Sequence, residues 1–223
     1  MTAPDGTAPD GTASDDAALG GPPEAPGAVR LLVVRHGRTG HNTTGRIQGQ
    51  LDVPLDEAGR AQARMVAARL VELAPAAIIA SDLSRAADTA APLAARTGLP
   101  VRLDPRLRER SFGQWQGLLN TEVAARFPAQ YLQLQAGLPV EGFDVEALDD
   151  VAKRTAAAFE DAAGQGATVV VFGHGGGARY GTGALLGWPP EVLRTLGTLD
   201  NCKWIDLRRD GVLGWRLHGY NVG

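Results

Sequence analysis

Two unbroken apolar runs constrain this chain more than anything else in it: VRLLVV at residues 29–34 and TVVVF at 168–172. Neither alternates with polar residues, which is the pattern of strands covered on both faces inside a parallel sheet. Each stops on a histidine among glycines, VVRHG and VFGHGGG, so His36 and His174 leave buried strands into glycine-bearing loops. Ligands of an open parallel sheet gather beyond the carboxyl ends of its strands. The two histidines, far apart in the chain, can therefore meet there.

The remaining pattern alternates strands with helices. AAIIAS and VRLD read as shorter strands. Between them and the first run, DEAGRAQARMVAARLVEL opens with Asp56 as an N-cap and repeats apolar side chains at helical spacing through Ala58, Ala61, Met65, Val66, Leu70 and Leu73. A second helix follows SDLS, where Pro92 is expected to kink or split it. Residues 145–163 form another helix, and KWIDLRRDGVLGWRLHGY forms two strands around a turn at Asp210 and Gly211. The expected fold class is α/β, a three-layer α/β/α sandwich with a mostly parallel central sheet.

Composition divides the chain at residue 28. Residues 1–28 repeat the pentad TAPDG and hold five of the 25 acidic residues, none of the 22 basic ones and almost no large apolar side chain. Such a segment buries too little surface to offset the entropy of ordering it, so a disordered acidic tail is expected, followed by one domain at 29–223. The tail lacks the pattern of a secretory or transit signal, and no uncharged apolar run reaches membrane-spanning length. The expectation is a soluble cytoplasmic protein with no membrane partner.

Beyond the tail, 20 acidic residues face 22 basic ones, a balance too weak to argue for nucleic acid. Only Lys153 and Lys203 are lysine; the other cations are arginine, the side chain suited to a two-pronged grip on phosphate or carboxylate, although compositional bias explains the preference equally well. Cys202 is the single cysteine, which excludes an internal disulfide and a cysteine-based zinc site and fits a small buried hydrophobe.

One histidine at a strand end is usually a packing residue. Two, each closing a core strand and one beside Arg35, point to an active site. GHGGGA matches a dinucleotide fingerprint at Gly173, Gly175 and Ala178, but too little chain follows for the rest of that fold. HGGG also matches an esterase oxyanion loop, yet no G-x-S-x-G elbow exists, and a zinc site would need a third ligand with only His41 and His218 left among the histidines.

RHGRTGHN, SDLSRAADTA, LRERSFGQWQG and GHGGGAR, in this order, resemble the histidine phosphatase superfamily, also called phosphoglycerate mutase-like. The resemblance covers nearly all of the chain after the tail. It implies a metal-independent phosphomonoester hydrolase without a cofactor. His36 is then the nucleophile that becomes a phosphohistidine, an imidazole largely neutral near pH 7. Arg35, Arg85 and His174 neutralise and align the phosphoryl oxygens, while Asn42, Gln48, Gly49 and Gly175 complete the substrate pocket. Glu109 stands where the family's proton donor stands. A nearby phosphate dianion would favour its protonated form, whereas pairing with Arg108 or Arg110 would hold it ionised. No acidic cluster resembling a magnesium site stands at these strand ends, so no metal is expected.

Arg38 and His41 depart from the family's commoner residues at positions expected at the pocket mouth, and Gly177 stands where a larger residue is usual, expected to loosen the loop after His174. Phosphatase and mutase differ in what shields the phosphoenzyme from water. The short stretch between Glu109 and His174 and the early end after the last strand favour hydrolysis, and LDNCKW and GWRLHGYN resemble the phosphatase branch. The expected partner is a small phosphorylated substrate, a sugar phosphate or phosphoglycerate derivative. A mutase-type phosphotransferase, a phospholigand-binding pseudoenzyme and a homodimer remain alternatives the residues leave open.

Overall fold

The computed structural model describes residues 28–223; the expectation of a disordered tail at 1–28 falls almost wholly outside them. Six strands form one sheet in the order β3-β2-β4-β1-β5-β6: β1 Val29–Arg35, β2 Ala77–Ala80, β3 Val101–Leu103, β4 Thr168–Gly173, β5 Trp204–Asp210 and β6 Gly214–Val222. The first four strands in that order run parallel, and β5 and β6 add an antiparallel edge. The sheet is thus mostly parallel, as the two unbroken apolar runs require: they are β1 and β4, side by side at its centre.

Because successive side chains of a strand point to opposite faces, β1 feeds two cores. Leu31 and Val33 pack with Val169, Val171 and Phe159 on one face, and Leu32 and Val34 pack with Val170, Phe172, Val66 and Leu70 on the other. All of these side chains are buried, each contributing about 1.5–3 kcal/mol against leaving it in water. The first face is covered by α6 Leu148–Ala163 and α7 Gly175–Leu185, the second by α2 Glu57–Leu70 and α3 Ser84–Thr97. A third, smaller cluster of Ile47, Trp115, Val123 and Val140 with Phe112, Phe127, Leu134 and Phe143 draws in α4 Asn120–Arg126 and α5 Pro128–Gln135 beside the carboxyl ends of the strands. Two short helices, α1 Gly40–Thr44 and α8 Pro190–Thr195, complete the set.

Asp56 caps α2 as expected, its side chain accepting from the Gly59 N–H at 2.7 Å, though the helix ends at Leu70 and a 3₁₀ turn follows. Of the two expected effects of Pro92, the split does not occur: α3 runs unbroken from Ser84 to Thr97 with Pro92 inside it. Proline costs a helix one hydrogen bond and strains the preceding turn, but Ala90 and Leu93 are buried against the sheet, Ala86 and Thr89 are buried as well, and Asp52 accepts from the Ser84 N–H at 2.7 Å at the helix start. Tertiary packing outweighs the local penalty. α6 begins at Leu148, three residues later than expected, because Val145 bridges to Phe112 and Glu146 pairs with Ser111. Among the described residues, no helix is long and apolar enough to cross a membrane.

Candidate active site

The β1–β4 register decides the site. Arg35 lies opposite Gly173, so the next residues on the two strands, His36 and His174, leave the sheet side by side, and the His36 N–H donates to the Gly173 carbonyl at 2.9 Å. Their ring centroids stand 5.2 Å apart, tilted by 57°. Two glycines let the chain turn here: a Cβ on Gly37 would stand 2.6 Å from the Gly59 carbonyl oxygen, and one on Gly59 would stand 2.0 Å from that of Arg38. RHG therefore needs its glycine because the loop presses on the first turn of α2.

His36 is 3% exposed, and its Nδ1 lies 2.7 Å from the Gly37 carbonyl. A carbonyl can only accept, so Nδ1 carries the ring proton and Nε2 keeps a lone pair. Burial, then the charges of Arg85 and Arg35, hold the imidazole well below its usual pKa of 6.5. The ring is thus neutral near pH 7 and its free nitrogen is nucleophilic. His174, fully buried, is lowered in the same direction by burial and by Arg85; its Nε2 pairs with Ser81 Oγ at 2.9 Å, and its Nδ1 has no hydrogen-bond partner in the protein.

Two guanidiniums flank this pair, and neither meets a carboxylate. Arg85, fully buried on α3, donates to the carbonyls of Leu51 and Gly49, each at 2.7 Å, while Arg35 donates to the Leu199 carbonyl at 2.6 Å. The Nε of each is buried without a partner. Burial pulls Arg85 down to about 10 and lowers Arg35 as well, with Glu109 the main charge acting the other way. Uncompensated cations of this kind are costly unless an anion joins them.

Glu109 stands at the start of α7, where free helix N–H groups favour an anion. Its Oε2 accepts from Gly176 N at 2.9 Å, and its Oε1 accepts from Gly177 N at 3.1 Å and Arg110 N at 2.8 Å. The feared arginine pairing does not form. Arg108 forks onto Asp82 at 2.6 and 2.8 Å, and Arg110 donates from Nε to the Glu146 carbonyl at 2.7 Å.

These groups open onto a cavity of about 390 Å³ lined by Arg35, His36, Gln48, Gly49, Arg85, Glu109 and Gly175 among the expected residues. His174 and Asn42 are not on its wall. His174 sits beneath it against His36, and Asn42 spends its Oδ1 in a capping box with Thr39 at the start of α1. Arg38 and His41 do not line the cavity either, contrary to the expectation of a place at its mouth: Arg38 turns to Asp56 at 2.8 Å, and His41 lies within α1. Gly177 belongs to the first turn of α7 rather than to a loosened loop, and a Cβ there would meet Arg108 O at 3.5 Å, an ordinary contact.

The outer wall holds residues that sequence reasoning missed: Arg110, Phe112, Arg179 and Tyr180. Arg110 is 5% exposed, and Arg179 carries a buried Nε without a partner. Arg179 and Tyr180 follow Gly175 and Gly176 by one helical turn, so their spacing was a usable signal once a helix was placed after GHGGG. Among the described residues, no group of three His, Cys, Asp or Glu side chains is placed to hold a metal ion.

Comparison with known proteins places this geometry. A model of the histidine phosphatase superfamily (branch 1) matches residues 31–223. Glucosyl-3-phosphoglycerate phosphatase of Mycolicibacterium vanbaalenii is 38% identical over 212 residues, covering 86% of this chain and 94% of that protein. Metal-independent phosphoserine phosphatase of Arabidopsis thaliana is 40% identical over 153 residues, covering 66% of this chain and 64% of that one. The solved mycobacterial glucosyl-3-phosphoglycerate phosphatase in complex with VO3 superposes with a TM-score of 0.79 at 36% identity, covering 87% of this chain and all of that chain.

Proposed function

The chain belongs to the histidine phosphatase superfamily, and from that premise we propose that it hydrolyses phosphomonoesters of small sugar or glycerate metabolites through a covalent phosphohistidine at His36. One observation carries the assignment of roles: a neutral buried imidazole with a free Nε2 stands with two buried guanidiniums, Arg35 and Arg85, whose Nε donors have no protein partner. The nonbridging oxygens of a phosphoryl group and a phosphorus atom open to attack are the complement of that set.

In the first step Nε2 of His36 forms a bond to phosphorus as the ester oxygen leaves with the bonding pair, and Glu109 supplies the proton that oxygen takes. In the second, water attacks the phosphohistidine, Glu109 takes a proton from it, and the imidazole leaves with the P–N electron pair, giving inorganic phosphate and free enzyme. The two guanidiniums balance a phosphate dianion throughout. Asn201 donates to the His36 carbonyl at 2.9 Å, and Thr89 accepts from the Gly37 N–H at 2.9 Å, so the nucleophile's backbone is held from both sides.

The leaving group lies toward the outer wall, where Arg110 and Arg179 offer charge, each lying over a neighbouring ring, Phe112 and Tyr180 respectively. A glycerate carboxylate suits those cations. The test is phosphate release from a panel of phosphomonoesters in chelator, with rapid quench to trap phosphoenzyme. Wild type should label at His36 and turn over alkyl esters, and His36→Ala should do neither. Phosphoryl transfer to a second metabolite without phosphate release would replace hydrolysis by a mutase reaction.

A further inference from the structure

Glu109 lies on a stretch without regular secondary structure, residues 108–111, whose carbonyls and amides must find partners elsewhere. Two of its carbonyls, and that of Arg106 just before it, converge on one side chain. Arg154, in the second turn of α6, donates from one terminal nitrogen to the carbonyls of Arg106 at 2.7 Å and Arg108 at 2.6 Å, and from the other to that of Glu109 at 3.1 Å. Its remaining donors grip Glu146, Nε to Oε1 at 2.7 Å and a terminal nitrogen to Oε2 at 3.0 Å. Glu146 in turn brackets the residues after the acid: it accepts from Ser111 N at 2.9 Å, donates its own N–H to the Ser111 carbonyl at 2.9 Å, and takes the Arg110 side chain on its carbonyl at 2.7 Å.

We infer that Arg154 is a positioning residue for Glu109, its guanidinium holding the backbone on both sides of the acid so that the carboxyl meets the leaving oxygen. The inference rests on the reading of Glu109 as proton donor. Arg154 does not line the cavity and touches no reacting atom. Its effect passes through geometry: a catalytic carboxyl on an irregular segment is only as well placed as the groups that hold that segment, and misplacement of an ångström can cost a hundredfold in rate. A lysine cannot reproduce this, since its single ammonium cannot span three carbonyls and a carboxylate in one plane.

A residue that merely stabilises the fold would slow every substrate alike. A residue acting through the acid should slow an ester that needs protonation and spare one that does not. The experiment measures, in single turnover, the maximal rate of phosphoenzyme formation and its half-saturating substrate concentration for Arg154→Lys and Glu146→Gln on 3-phosphoglycerate and on p-nitrophenyl phosphate, in the wild-type and Glu109→Gln backgrounds, well below each variant's Tm. Arg154→Lys should lower the maximal rate on 3-phosphoglycerate at least tenfold with the half-saturating concentration within about twofold, lower the rate on the aryl ester less than threefold, and cost less than twofold on either ester when Glu109 is already glutamine. Equal losses on both esters, or the full loss repeated in the Glu109→Gln background, overturn the inference. Should Arg154→Lys not fold, the same ratios read in Glu146→Gln decide. If Glu109→Gln by itself slows both esters equally, the assignment of the acid has failed instead.

Discussion

The Glu109 carboxylate accepts a hydrogen bond from the Gly176 N–H at 2.9 Å, and a Cβ on Gly176 would stand 2.4 Å from the other oxygen of the same carboxylate. The acid is thus seated by an amide whose residue leaves no room for a Cβ unless the carboxyl shifts. Gly176→Ala should push the Glu109 carboxyl off the start of α7. The helix itself would gain propensity, by up to about 1 kcal/mol. We expect kcat on alkyl phosphates to fall tenfold or more while Tm holds or rises. Parallel steady-state kinetics and thermal melts check this, and unchanged alkyl turnover would show that the seat is dispensable.

Glu109→Gln should divide substrates by leaving group. An aryl phosphate expels a stabilised phenolate, whereas a glycerate or sugar oxygen must be protonated as it departs, which general acid catalysis accelerates by about a hundredfold or more. Single-turnover phosphoenzyme formation on both ester types reads the difference directly.

Arg85→Met removes a fully buried cation whose Nε has no protein partner. Inorganic phosphate binding the native wild type should raise its stability by about 2.7 kcal/mol at a hundredfold excess over Kd. In the variant that stabilisation should vanish, together with turnover of every ester. Melts with and without phosphate suffice, and a full phosphate shift in Arg85→Met would place the anion elsewhere.

Stability should fall with acid in a window set by the histidines. His36 and His174 are held well below 6.5 chiefly by burial, with Arg85 adding repulsion. Below that pH the unfolded chain takes up protons that the native state refuses, so unfolding is favoured as pH drops, by up to about 1.4 kcal/mol per unit for each ring. Denaturant midpoints from pH 7 to 5 should decline, and His36→Gln should decline less steeply by one proton. Identical slopes would mean that His36 titrates normally in the fold.

Turnover should survive chelator and gain nothing appreciable from added magnesium, because two guanidiniums with unpartnered donors already stand where charge is to be neutralised. Loss in chelator restored by a divalent ion would contradict the proposed site.

Local pattern carried much of this protein. Unbroken β-branched runs demand cover on both faces, so β1 and β4 and the two histidines at their ends were legible from the residues alone, as was the Asp56 cap, whose partner lies three residues away. Partner choice among the many arginines was not. Which carboxylate Arg108 takes, why the Arg110 guanidinium goes to the Glu146 carbonyl rather than to Glu109, and how Arg154 gathers three carbonyls depend on distances between segments 26 to 48 residues apart in the chain, which no periodicity encodes. Pro92 inside α3 has the same origin: propensity predicted a kink or split, and burial of Ala90 and Leu93 against the sheet kept the helix unbroken. The tautomer of His36 needed tertiary structure too, since only the folded loop brings the Gly37 carbonyl to Nδ1 and leaves Nε2 for chemistry. Secondary structure follows from neighbours along the chain, whereas the charge and reach of each catalytic group are set by neighbours in space.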